Sequence, residues 1–137
     1  MVQFIAGAKG EGKTKKLISM ANEQLKTTEG HLVFIDDDRR HMYDLHRDIR
    51  FVETGRGSLS VYREFIGFVL GILSQNSDIK TIYVDGLTNI IEKLEEDDLS
   101  KLTKRLEALS KENEVDFVLC VNWKEDELPE HIKPMLI

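Results

Sequence analysis

Eight residues near the start of the chain, Gly7-Ala8-Lys9-Gly10-Glu11-Gly12-Lys13-Thr14, constrain its fold more than any others. They match G-x-x-x-x-G-K-[ST] at every fixed position. Glycines let the backbone curl so that several N–H groups point inward at phosphate oxygens. The flanks suit the loop: residues 2–6 are a short apolar strand, and residues 14–29 place Leu17, Ile18, Ala21 and Leu25 on one helix face, with Gly30 as a stop. The helix adds its positive N-terminal end to the cradle. On this reading Gly7, Ala8, Lys9, Gly10, Glu11 and Gly12 wrap the phosphates of a nucleotide. Lys13 reaches the β- and γ-phosphates, and the Thr14 hydroxyl ligates Mg2+. Lys9 and Glu11 stand at variable positions, where Lys9 either touches the γ-phosphate or a neighbouring subunit, or is a solvated loop charge. A glycine turn with two incidental basic residues is the plainer alternative.

Beyond the loop, strands and helices alternate. Residues 31–35 form a second strand, closed by three aspartates. Residues 39–47 read as a charged loop with one helical turn, and 49–53 as a weak third strand. Residues 58–75 form a helix apolar almost all round, which predicts that it is sandwiched. Residues 79–85 are a strong strand, 87–94 a short helix, and 95–98 an acidic run. The helix at 98–112 carries Leu99, Leu102, Leu106 and Leu109, a stripe that reads as core packing ahead of a coiled-coil seam. A last strand spans 117–121, and the tail 123–137, with Pro129 and Pro134, reads as irregular. This order predicts a single α/β domain over 1–137, doubly wound around a mostly parallel sheet.

A site for Mg2+ and nucleotide needs a carboxylate that holds the metal through water. Asp85 ends the apolar run Ile82-Tyr83-Val84, at the carboxyl edge of the sheet where such folds bind ligands. A turn-capping aspartate is the alternative. Gly86 follows, where many hydrolytic proteins with this loop place a glutamate.

Over nearly its whole length the chain resembles the RecA-like ATPases. In that family the strand after the first helix ends Phe-Ile-Asp, and the catalytic glutamate lies two residues on. Here Phe34-Ile35-Asp36 is followed by Asp37 and Asp38, so the resemblance implies that Asp38 positions the attacking water. It also implies that Asn122, after the last strand, senses the γ-phosphate, and it makes Gly86 an ordinary neighbour of Asp85. Two features depart from the family. Asp38 is one methylene shorter than glutamate, about 1.5 Å of reach, and misplacement of that order costs about 100-fold in rate. Trp123 stands where a glutamine sensor is usual. The run 36–38 also reads as a charged turn or a helix cap.

ATP is preferred over GTP. Thr88 occupies the position three residues after Asp85 where a GTPase pattern has glycine, and Asn122-Trp123-Lys124-Glu125-Asp126 has one residue too many for guanine reading. The expected activity is a slow or partner-stimulated ATPase, or a nucleotide switch. The alternatives are a small-molecule kinase using the same loop, or a non-hydrolysing assembly or regulatory module, for instance a motor-associated one. A homo-oligomer or a protein partner fits these readings.

Composition narrows the field. With 137 residues, 41% of them hydrophobic, the chain supports one core and is no disordered or collagen-like sequence. A net charge of −6 argues against broad affinity for nucleic acid or anionic lipid, and strand exchange on DNA is not carried over from the resemblance. No apolar run reaches the length of a membrane span. One cysteine, Cys120, and no signal-like start predict a cytoplasmic protein with a buried thiol. The four histidines show no metal-ligand spacing, and none of the seven arginines is singled out by sequence.

Overall fold

The computed structural model describes residues 1–137. Its strands are β1 (Val2–Ala6), β2 (His31–Asp36), β3 (Arg50–Glu53), β4 (Ile79–Val84) and β5 (Asp116–Val121). They form one all-parallel sheet in the order β1-β5-β4-β2-β3. Helices α1 (Lys13–Leu25), α2 (Tyr62–Gln75), α3 (Leu87–Ile90) and α4 (Glu96–Asn113) supply the connections except that from β2 to β3, which carries a 3-10 turn at Met42–Asp44.

Strand alternation sorts the core by face. Phe4, Val33, Ile35, Ile82, Val84, Phe117 and Leu119 point to the side of α2, α3 and α4. Ile5, Leu32, Phe34, Tyr83, Val118 and Cys120 point to the side of α1, whose Leu17, Ile18 and Ala21 cover them. A polar tie fixes α1 to β4: the Tyr83 hydroxyl donates to Gln24 Oε1, and Gln24 Nε2 donates to Thr81 Oγ1 at 2.8 Å.

Several boundaries differ from the sequence reading, each for a visible reason. Helix α1 stops at Leu25, because the N–H groups of Thr27 and Thr28 both fold back onto Gln24 O. Helix α2 starts at Tyr62 because residues 59 and 60 run extended beside 90–93, with Leu59 N–H donating to Ile90 O and Glu92 N–H to Leu59 O. That pairing also ends α3 at Ile90. The acidic run belongs to α4: Asp98 accepts from the Glu95 N–H at 3.1 Å, and carboxylates suit the positive end of a helix.

Helix α2 is not sandwiched. Phe65, Ile66 and Val69 are buried, whereas Gly67, Leu70 and Gly71 face outward. Two of the outward positions that read as apolar are glycines, so the outer face has little side chain to bury. The leucine stripe of α4 lies wholly in the core.

The tail is ordered rather than irregular. It makes 3-10 turns at Glu125–Glu127 and Lys133–Met135, and buries Leu128 and Ile132 against the α4 face. Leu136 bridges Phe4, and the Ile137 N–H donates to Phe4 O at 3.0 Å. Strand β1 would otherwise be a bare edge, and the tail covers it. No helix is long and apolar enough to cross a membrane.

Candidate functional site

The loop between β1 and α1 is anchored at its start by the Gly7 N–H, which donates to Trp123 O at 2.8 Å. Gly12, the residue before α1, has φ 83°, a left-handed conformation that other residues adopt at a cost. Gly7, at φ 151°, holds a backbone conformation that residues with a side chain rarely adopt, and the Glu11 carboxylate folds back over it. Lys13, a buried residue, then opens the helix, and its Nζ donates to Ala8 O at 2.8 Å. No ion pair involves Lys13. An ammonium has three donors, and a buried cation is costly unless paired. The free donors of Lys13 therefore suit an anion inside the loop.

Acidic side chains close the opposite wall. Asp85 follows β4, its N–H donating to Ile35 O at 2.8 Å. Burial raises its carboxyl above the usual range, while donation from the Thr14 hydroxyl and the Gly86 N–H pulls it back. Asp36 ends β2, and its carboxyl is pushed up to about 8, by burial first, then by its hydrogen bond with the Asp37 side chain and the nearby Asp85 charge. Asp38 differs from both. It is partly exposed, and the Arg40 backbone N–H at 3.0 Å and Nε at 2.9 Å hold its carboxyl below the usual range.

These groups enclose a cavity of about 710 Å3 with a single hydrophobic lining residue, Ile18. Lys9, Gly10, Gly12, Lys13, Thr14, Asp85 and Asn122 all line it. Gly7, Ala8 and Glu11 shape the loop from behind without lining it. Asn122 turns to the cavity and Trp123 packs into the core of the other face, as expected of neighbours at a strand end. Asp38 lies outside this cavity, in an adjoining recess, while Asp36 and Asp37 reach the main one. Sequence reasoning also passed over Ser19, Asn22, His41 and Asn89 as lining residues. Ser19 and Asn22 follow Lys15 at helical spacing, the one signal that marks them as one exposed face of α1.

The donor set fits Mg2+ bound largely through water. No group of three or more His, Cys, Asp or Glu side chains is arranged to hold a metal ion. Mg2+ commonly takes one or two protein oxygens and keeps several waters, which matches the Thr14 and Asp85 pair. Cys120 lies beneath the loop, its Sγ 3.8 Å from Lys13 O, and burial pushes its thiol up and away from reactivity.

No model of a known protein family matches the chain, and neither does any curated protein.

Proposed function

We propose that the chain is a RecA-like P-loop NTPase core, a doubly wound domain that binds ATP with Mg2+ as a slow or partner-stimulated ATPase or a nucleotide switch. The observation behind this reading is Lys13, a buried cation with free donors at the start of a helix. It borders a cavity within the usual range for small-molecule sites, about 300–1,000 Å3.

The loop N–H groups and Lys13 would bind the phosphates, and Asn122 would meet them from β5. Thr14 and Asp85 would hold the metal. Mg2+, when bound, neutralises charge developing on phosphate oxygens. Burial raises the Asp85 carboxyl, and the Thr14 hydroxyl and the Gly86 N–H beside it favour its ionised form. The carboxylates after β2 would orient an attacking water, with Asp38 the residue the resemblance selects and Asp37 the one nearer Lys13's cavity.

Calorimetry with Mg·ATP and Mg·GTP tests the binding reading, with tighter ATP binding expected and no binding of either overturning it. Phosphate release then separates the acids. Asp38→Asn lowering turnover by about 100-fold at near-constant affinity assigns it the base. Unchanged turnover removes it from that role and directs the test to Asp37→Asn.

A further inference from the structure

A second recess of about 440 Å3 adjoins the main cavity, sharing Lys9, Asp37, Arg40 and Asn89 with it, and has no hydrophobic lining. The arginines sort themselves around it. Arg39 pairs with Glu53 at 2.8 Å, Arg40 pairs with Asp38 at 2.9 Å, and Arg63 lies over the Tyr62 ring at 5.6 Å. Arg47, Arg50 and Arg105 border neither cavity. Arg56 alone lines the recess with no ion-pair partner, and Lys9 shares that condition from the phosphate loop.

The turn carrying Arg56 is built to stay put. Gly55 and Gly57, at φ 92° and 63°, let the chain reverse on both sides of it. The Thr54 N–H donates to Asp36 O and the Gly55 N–H to Asp37 O, each at 2.9 Å, and the Gly57 N–H donates to Asn89 O at 2.8 Å. Three backbone bonds thus fasten an exposed arginine to the acidic strand end and to α3. Two carboxylates of the recess, Asp38 and Glu53, are paired with Arg40 and Arg39, so Asp37 is the one carboxylate that lines it together with the two unpaired cations.

We propose that Arg56 and Lys9, lining the polar recess beside the phosphate loop, form a second subsite for a phosphoryl anion. The guanidinium fork matches paired phosphoryl oxygens, and Lys9 adds a point charge. The anion is either the terminal phosphate of the bound nucleotide or the phosphate of a separate ligand. The inference rests on the nucleotide reading for what occupies the neighbouring cavity.

The test is titration of wild type, Arg56→Gln, Arg56→Lys, Lys9→Gln and Lys13→Ala with Mg·ATP, with Mg·ADP, and with inorganic phosphate added to the ADP-loaded protein. If the terminal phosphate is the occupant, Arg56→Gln weakens Mg·ATP about 10-fold while Mg·ADP stays within about 2-fold. If the occupant is separate, both nucleotides are unchanged and inorganic phosphate binding falls about 10-fold. Lys9→Gln follows the same pattern more weakly, and Arg56→Lys recovers part of the loss. Arg56→Gln leaving all three ligands within about 2-fold overturns the proposal. If no nucleotide binds wild type and Lys13→Ala changes nothing, the nucleotide reading has failed instead. Inorganic phosphate binding to the ligand-free protein then decides: its loss in Arg56→Gln supports the subsite, and its persistence overturns it.

Discussion

The two faces of the sheet are covered unequally. On one side α2, α3, α4 and the tail enclose a cluster of 23 buried apolar residues, and on the other α1 and the loop after β2 cover only 11. The thickly covered face reaches the strand ends with apolar side chains. On the thinly covered face, a cavity opens at the carboxyl edge between α1 and residues 40–44, which Asn22 ties together by donating to Asp44 O, and Lys13, Asp36, Asp37 and Asp85 border it. Apolar cover is what a parallel sheet needs for stability, and its local absence is what leaves room for charge. One face holds the molecule together, and the other carries the charged groups of the candidate site.

The division can be broken most forcefully through the tail. Ile132→Ala removes a fully buried side chain from the thick face and is expected to lower stability by about 2–5 kcal/mol in chemical denaturation, with nucleotide affinity of the folded fraction preserved. A loss under about 0.5 kcal/mol would mean the tail merely rests on the core.

Lys13→Ala probes the thin face. It is expected to weaken Mg·ATP at least about 10-fold, a charge-assisted contact of roughly 1.5–3 kcal/mol. The melting temperature of the ligand-free protein should not fall, since an unpaired buried charge is removed. Lost stability with retained affinity would reverse the assignment of the two faces.

Asp36 sharpens the comparison through pH. Its carboxyl is raised from 3.8 to about 8, so between those values the folded state binds a proton that the unfolded state does not. This group's contribution is fully present below the unfolded value and is lost as pH rises towards 8, so stability falls in that direction. Urea midpoints at several pH values between 5.5 and 8.5 should decline for wild type and flatten for Asp36→Asn. Parallel curves would show that Asp36 does not hold its proton.

A smaller effect is expected from Asp85→Asn, which should weaken Mg·ATP several-fold more than ATP in excess chelator. Equal losses would make Asp85 structural. Smallest of all, Leu70→Gln on the outward side of α2 should change stability by less than about 0.5 kcal/mol. A larger drop would mean that another molecule covers this face.

Much of the architecture was legible because each element is locally self-consistent. The strands are short apolar runs, α1 has its stripe and preceding glycines, and α4 has its leucines. Reading failed where a residue's surroundings are distant in sequence. Leu59 and Ser60 extend beside residues 90–93 instead of starting α2, and residues 128–137 pack on β1 and α4 although prolines interrupt them. In the site, three consecutive aspartates look alike on paper. Strand geometry sends Asp36 and Asp37 to the cavity, and the Arg40 ion pair holds Asp38 in the adjoining recess.

The amino-acid sequence by itself determined the alternation of strands and helices, the glycine loop with Lys13 and Thr14, and an aspartate closing the strong strand at 79–85. These are matters of local conformation and one-dimensional pattern, written in adjacent residues. Tertiary structure alone decided that β5 lies between β1 and β4, that the tail seals β1, and that Arg56, of seven arginines, is the one left unpaired beside the loop. Each of these depends on which distant partners a backbone or a charge meets, and spacing along the chain does not encode that.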